Sequence, residues 1–443
     1  MKYLTKYIDK LFLALRFKKR RIPVSPFLLL KKLQESQYWE RDQLQKYQLK
    51  KLNGLIQEAQ NGTIYYKNKI NGNDSIYKDL KSFSENFPQL SKNKIVENSK
   101  DLLNDQLANR FKHSTSGSTG QPLTIELSGL AEAYRFAAKM RFYNWWGVDF
   151  YDKSVLIWKI NRSNENPLSL SEKFSNKIKN RLDVDIFNLN DKTIYTYVDQ
   201  IDNFNPKIIR SYKSGLYEFA RLMEKHNLQF KKAKLKVAIV TSEILLENER
   251  EYIESVLKCK VANEYGAAEG GFYACECPEG SMHINEETNF IATDINNNAF
   301  VTELFNNSMP LINYKNDDKI VISNDYCTCG RTSRLISSIE GRIGDYILCP
   351  DGTKKNSFIL AYIIRESVEE GFKGSVKQYR IIQNKNKFLL EFIAGKNYNT
   401  KVSEIIKKRM YKEIGKEIEI EIKLVPQIQR EKSGKLRIFI RES

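Results

Sequence analysis

The sequence predicts an α/β protein: a large N-terminal domain of mixed α/β sheet with a β-rich subregion, followed by a small C-terminal α+β domain. Three observations carry this prediction. Between residues 130 and 265 short apolar runs alternate with helical patterns, which predicts strands joined by helices and a substantial parallel sheet. Around 289–323 the texture shifts to closely spaced β runs, NFIATDI, FVTELF and KIVIS. From Gly344 onward a unit of about a hundred residues shows its own alternation of helix and strand, a size at which domains fold independently. With 443 residues, 41% of them apolar, the chain can fill two cores, and its 24 Tyr and 23 Phe exclude disorder as a description of the whole.

Taken in order, residues 27–107 read as mostly helical, because apolar positions recur three and four apart in FLLLKKLQESQYWERDQLQKYQLKKLNGLI. A Gly-rich turn at Gly117 to Gly120 then precedes a helix over Leu130–Trp146, whose Phe136, Tyr143, Trp145 and Trp146 are read as core. Strands are expected at 154–158 (SVLIW), 237–240 (VAIV) and 261–265 (VANEY). The domain boundary is placed between residues 344 and 345, giving domains 1–344 and 345–443. The smaller one is expected to hold a helix near 357–370, strands YRIIQ and FLLEFIA, a helix near 400–413 and the strand IEIEIKLV. No internal repeat is visible.

Charge and cysteine usage bound the setting. The chain carries 72 Lys and Arg against 54 Asp and Glu, a net +18, which suits nucleic acid, an anionic membrane surface or a polyanionic small molecule, and equally suits simple solubility. The six cysteines include two Cys-x-Cys pairs, Cys275/Cys277 and Cys327/Cys329, and adjacent-but-one cysteines rarely bond to each other, so a reducing cytoplasm is expected. No apolar run reaches the length of a membrane span. The basic cluster Lys18 to Arg21 interrupts the apolar N-terminal segment, which argues against a secretory signal. Two readings of that segment stay open, a basic amphipathic helix on the inner face of a membrane and a helix packed on its own protein.

The strongest local signal is STSGSTGQP, Ser114 to Pro122, whose first seven residues are all hydroxyl-bearing or glycine, so that amides and hydroxyls can turn toward one anion. It lacks the Gly-Lys-Ser/Thr ending of a Walker loop. Downstream stand EYGAAEG (264–270), YKNDD (314–318), GRIGD (341–345) and REKSGKLR (430–437), in that order. The five motifs, in this order, resemble those of the adenylate-forming superfamily, more narrowly the phenylacetate-CoA ligase-like branch that includes capsular polysaccharide biosynthesis proteins, over roughly Phe111 to Arg437.

The resemblance implies an ATP- and Mg²⁺-dependent ligase that activates a carboxylic acid as its acyl adenylate and passes the acyl group to CoA or an amine, in a surface-polysaccharide or related pathway. It implies a nucleotide site formed by Ser114, Thr115, Ser116, Gly117, Ser118, Thr119, Gly120, Glu243, Glu264, Tyr265, Gly266, Asp318 and Arg342. Glu269 is expected to hold Mg²⁺, Lys435 to be the catalytic lysine, and Asp345 to mark a hinge about which the small domain rotates. The chain departs from the family pattern at Gln121, where Lys is usual, at Ala268, where Thr is usual, and in YKNDD, where Tyr-Arg-Thr-Gly-Asp is common.

A second site is expected among the cysteines. Cys277, His283, Cys327 and Cys329 offer thiolate and imidazole ligands for a structural zinc, with Cys275 as a fifth and less certain candidate, and relatives in the same branch carry a similar Cys, His and Cys-x-Cys-Gly set. None of the three histidines, His113, His226 and His283, sits in a nucleophile motif, so a hydrolase is not supported. His226 is read as a helix-surface residue and His113 as a neighbour of the phosphate loop or a packing residue. Two other classes remain: a scaffold of the same fold that has lost activity, and a basic zinc-stabilised nucleic-acid-binding protein. The second leaves five ordered motifs unexplained, so no nucleic-acid partner is expected.

Overall fold

In the computed structural model the described residues are 22, 24–70, 76–107, 110–114, 123–159, 180–342, 346–369, 372, 374–431 and 433–442. The N-terminal stretch is helical, as its periodicity predicts: α1 (Pro26–Ser36), α2 (Arg41–Gly62), and three short helices, α3 (Ile64–Lys69), α4 (Leu80–Asn86) and α5 (Lys92–Glu97). Along α2 the buried positions Leu44, Gln48, Leu52, Leu55, Ile56 and Ala59 fall three and four apart, one stripe on one face. That stripe joins a core with Phe83, Phe87, Leu90 and Ile95 from the short helices.

Next comes a hairpin, β1 (Arg110–Ser114) against β2 (Thr124–Ser128), whose connection contains the hydroxyl and glycine run. Ser128 closes β2 and caps α6 (Gly129–Trp145), its hydroxyl accepting the Ala131 amide at 3.1 Å. Strands and helices then alternate: β3 (Ser154–Trp158), β4 (Arg181–Asp185), α7 (Ile194–Phe204), β5 (Ile208–Tyr212), α8 (Lys213–Lys225), β6 (Val237–Thr241), α9 (Glu247–Leu257) and β7 (Lys260–Ala267). β3 to β7 pair in parallel, and β6, VAIVT, is buried at every position, as a central strand covered on both faces must be.

The β-rich region expected after residue 289 is a continuation of this sheet. From β8 (Gly271–Glu276) the direction reverses, and β9 (Met282–Ile284), β10 (Asn289–Thr293), β11 (Asn298–Glu303), β12 (Tyr314–Ser323) and β13 (Leu335–Arg342) extend it to eleven strands, ordered β10-β11-β12-β13-β9-β8-β7-β6-β5-β3-β4. The remaining chain forms a hairpin of β14 (Tyr346–Leu348) and β15 (Lys354–Asn356), the helix α10 (Phe358–Glu369), β16 (Val376–Asn384), β17 (Lys387–Ala394), α11 (Thr400–Ile414), β18 (Glu419–Leu424) and β19 (Phe439–Glu442). Its four-stranded sheet, ordered β18-β17-β16-β19, packs Ile381, Leu390 and Phe392 with Val402, Ile406 and Met410 of α11.

Two compact units result: residues 1–295, 299–316 and 321–337 in one, and 296–298, 317–320 and 338–443 in the other. The second unit includes both Asp318 and Lys435. Among the described residues no helix is long and apolar enough to cross a membrane.

Candidate functional site

The first unit builds the EYGAAEG turn at the end of β7. The strand bulges between Tyr265 and Gly266, and a Cβ on Gly266 would lie 2.2 Å from the Gly271 carbonyl oxygen, so only glycine fits there. Tyr265 is buried, meets Tyr273 edge-on at 5.3 Å, and accepts a hydrogen bond on its hydroxyl from the Asn316 amide at 3.0 Å. The turn beyond is held by one arginine. Arg135, on α6, donates to the carbonyls of Ala268 (2.9 Å) and Glu269 (3.1 Å) while its fork grips the Glu303 carboxylate at 2.6 and 2.8 Å. With its backbone fixed this way, Glu269 presents a half-buried carboxylate that forms no ion pair among the described residues, a hard oxygen donor of the kind Mg²⁺ takes.

Other predicted residues are already engaged. The Glu264 carboxylate receives both arms of Arg210, at 3.2 and 2.5 Å. Glu243 accepts the amide (2.7 Å) and hydroxyl (3.0 Å) of Ser214 and thereby caps α8. Ser114 ends β1 with its hydroxyl 3.2 Å from that of Thr124. Thr115, Ser116, Gly117, Ser118, Thr119, Gly120 and Gln121 lie outside the described residues, as does Asp345, and of Arg342 only the backbone is described.

In the second unit, Asp318 lies half-buried on β12. The residue before it, Asp317, has φ +62°, a left-handed conformation that Asp tolerates better than most side chains. Lys435 is half-buried in a tight turn in which its carbonyl accepts the Glu431 amide (3.0 Å) and its amide meets the Ser433 hydroxyl (3.3 Å).

The cysteine set converges. The ligand atoms of Cys277, His283, Cys327 and Cys329 all lie within 4.8 Å of one another. Cys277 and Cys327 have sulfurs 3.7 Å apart, and the Cys329 sulfur is 3.2 Å from His283 Nε2. Metal–sulfur bonds of about 2.3 Å in a tetrahedron set sulfur–sulfur edges of roughly 3.8 Å, so the cluster has the size a zinc ion needs. His283 Nδ1 lies 3.2 Å from the Ser333 hydroxyl, which orients Nε2 toward the thiols. Burial, then the nearby Arg331 and Arg141, holds the imidazole down at about 4, so it stays neutral and able to ligate. Burial pushes the Cys277 thiol up to about 12, more than the amides of Ser281 and Glu279 offset, so a cation beside it is what would hold the thiolate. Cys275 is buried apart from the cluster, receiving Asn285 Nδ2 at 3.7 Å.

The other two histidines meet carboxylates. His113 meets Glu132 at 2.7 Å, and His226 caps α8 between Asp191 (2.7 Å) and the Tyr195 hydroxyl (2.8 Å).

Comparison with known proteins shows what the chain is similar to. Residues 352–442 match the family model described as the CapK C-terminal domain. A phenylacetate-coenzyme A ligase of Thermus thermophilus is 27% identical over 164 residues, 33% of this chain and 37% of that protein. The match thus spans little more than a third of that relative's length. A 2-hydroxyisobutyryl-CoA ligase in its postadenylation state, bound to 2-HIB-AMP, superposes with a TM-score of 0.73 at 16% identity over 92% of both chains. An anthranilate CoA ligase in complex with anthranoyl-AMP gives 0.52 at 13% identity over 74% of this chain and 66% of its own.

The fold of this chain is the one seen in these CoA ligases. In sequence, part of the chain is similar to a phenylacetate-coenzyme A ligase, and residues 352–442 are similar to the CapK C-terminal domain. Within this ligase fold, sequence reasoning missed Arg135 and Glu303. The available signal was an arginine set among Tyr134, Phe136, Ala137 and Ala138, where a solvated helix face would not place one. Phe136, Tyr143, Trp145 and Trp146 do pack in the core beneath α6, and Trp145 lies edge-on to His283 at 5.8 Å.

Proposed function

We propose that this chain activates a carboxylic acid with ATP and transfers the acyl group to coenzyme A or to an amine. A carboxylate oxygen attacks the α-phosphorus, the bond from that phosphorus to the bridging oxygen breaks, and pyrophosphate leaves; the acceptor thiol or amine then attacks the acyl carbonyl and AMP departs. The observation that carries this reading is the Tyr265–Glu269 turn: its glycine is sterically obligatory and its carbonyls are anchored on Arg135, so the acidic residue of the motif is held in place within a fold shared with ligases that bind acyl adenylates.

The attack brings anion to anion, so the barrier falls through positioning and through positive charge placed around the phosphoryl group. Lys435 supplies an ammonium, and Glu269 is the residue that would hold Mg²⁺, which when bound neutralises phosphate charge. Ser114, Thr115, Ser116, Gly117, Ser118, Thr119 and Gly120 would grip the departing pyrophosphate, Tyr265, Gly266 and Asp318 the adenosine, with Arg342 nearby and Asp345 as the hinge. Glu243 and Glu264 would act at the nucleotide end through the helix and arginine they hold. Zinc on Cys277, His283, Cys327 and Cys329 would clip β8 and β9 to the 327–329 loop, a structural role. The CapK domain supports a place in surface-polysaccharide synthesis, and the positive charge would draw polyanionic ligands without nucleic acid.

The test is pyrophosphate release from ATP across a panel of sugar acids, amino acids, short hydroxy acids and aryl acetates, with products analysed with and without CoA. A thioester formed only with CoA identifies the acceptor as CoA, and an amide identifies an amine. No release with any acid overturns the reading.

A further inference from the structure

One face of the parallel sheet carries charges that a packed face would not need. Side chains two apart share a face of a strand. The register sets Leu156 opposite both Asp183 and Arg210, and Arg210 opposite Ile239, which lies opposite Ala262. Arg181, Trp158, Tyr212 and Glu264 follow on the same face at two-residue steps. This is the face that α6 covers, since Met140 and Tyr143 share a core with Ile208, Ile239 and Ala262.

Two of the cations there are matched. Arg181 pairs with Asp183 at 2.6 Å and Arg210 with Glu264, and Arg210 also lies 5.3 Å from the centre of the Trp158 ring, which stacks on Tyr212 at 3.7 Å. The third is Lys139 of α6, whose ammonium lies 5.4 Å from the Tyr143 ring and forms no ion pair among the described residues. Burial, reinforced by the like charge of Arg210, pulls its pKa down to about 7. Asp185, opposite Trp158, is a further carboxylate of this face, and Lys139 is the cation of the group that forms no ion pair among the described residues. Trp158, Tyr212 and Glu264 stand at or near the carboxyl ends of parallel strands, where open α/β sheets bind their ligands, and Glu264 directly precedes the Tyr265–Gly266 turn.

We propose that Lys139, Arg210 and Arg181 form a subsite for a second anionic group on the acid that this ligase activates, so that its substrate is a dianionic acid. This rests on the ligase reading above. The substrate's reactive carboxylate would lie toward Tyr265–Gly266, and its far carboxylate, or a like anion, would supply the charge that Lys139 lacks, against the wall of Trp158 and Tyr212. A half-buried cation without an ion-pair partner is costly, and an anionic ligand offsets that cost only when it binds.

Matched acid pairs test this. Binding is measured by calorimetry for succinate against butyrate, glutarate against valerate, and galactarate against galactonate, on the wild-type chain and on Lys139→Met and Lys139→Arg. The best dicarboxylate is expected to bind at least tenfold more tightly than its partner; Lys139→Met brings the two within threefold, and Lys139→Arg keeps the gap. Equal binding of each pair by the wild-type chain overturns the subsite, as does an unchanged ratio in Lys139→Met; should that variant misfold, the wild-type ratio decides alone. Pyrophosphate release is followed in parallel. Dicarboxylate-selective binding with no release from any acid removes the ligase reading and keeps the subsite, whereas release driven equally by mono- and dicarboxylates removes the subsite and keeps the ligase.

Discussion

The cysteine cluster and the arginine-rich ground beneath α6 are both polar insertions in an apolar framework, and they differ in how they are assembled. The cluster draws its ligands from two short segments, 277–283 and 327–329, each rich in one kind of chemistry. The ground beneath α6 gathers Arg135, Lys139, Arg181, Arg210, Glu264 and Glu303 singly from separate strands and one helix. Local chemistry that repeats within a few residues announces itself, whereas chemistry assembled across a sheet face is harder to see, because apart from Arg135 its members look like ordinary surface charges in their own segments.

Breaking the cluster is expected to give the largest effect. Cys329→Ser, or a strong chelator, should remove zinc that metal analysis otherwise finds near one per chain, with a loss of stability of about 3 kcal/mol or more read by denaturant unfolding. A metal content far below one per chain in the unaltered protein would contradict the zinc assignment.

Arg135 sharpens the other side of the comparison. Arg135→Met strands the Glu303 carboxylate in a site that is 6% exposed, at a cost of about 3–5 kcal/mol. Arg135→Lys keeps the charge and loses the fork, so it is expected to fold and to raise the Mg²⁺ concentration needed for half-maximal pyrophosphate release by about tenfold, through a loosened Glu269. A merely structural Arg135 would lower the melting temperature and leave that Mg²⁺ requirement where it was.

The smallest effect is a pH dependence. Lys139 titrates near 7 in the fold against an ordinary value of 10.5, so between those pH values the unfolded chain binds more protons and stability rises with pH. Dicarboxylate preference should run the opposite way, falling as pH rises through about 7, because the protonated amine is the form that attracts the anion. Arg210, Arg181, Glu264 and Tyr143 face the same amine, and only Glu264 among them opposes its charge at neutral pH. Lys139→Met should flatten both trends, as measured by unfolding and by calorimetry from pH 6 to 8.5.

Much of the fold was legible because period and length were unambiguous. The helix predicted at Leu130–Trp146 runs from Gly129 to Trp145, and those near 357–370 and 400–413 run over Phe358–Glu369 and Thr400–Ile414. That the later β runs join the same sheet was not legible, since strand composition says nothing of which edge a strand adds to. Ligand type and clustering pointed to Cys277, His283, Cys327 and Cys329, which converge, and left Cys275 as a fifth candidate, which lies apart from them. The left-handed backbone of Asp317, φ +62°, was not legible either, since YKNDD carries no glycine to signal it. Arg135 was hidden because its partners lie 130 to 170 residues away, and Lys139 because it forms no ion pair among the described residues.

The central claim is that this fold performs adenylation with Lys435 as its catalytic cation. The direct measurement is carboxylate-dependent pyrophosphate release by the unaltered chain and by Lys435→Ala, with an acid found active in the panel. The account predicts a loss of about a hundredfold or more in the variant, the scale on which removing one preorganised charge contact acts, with the melting temperature retained. Release at an undiminished rate in Lys435→Ala would contradict it.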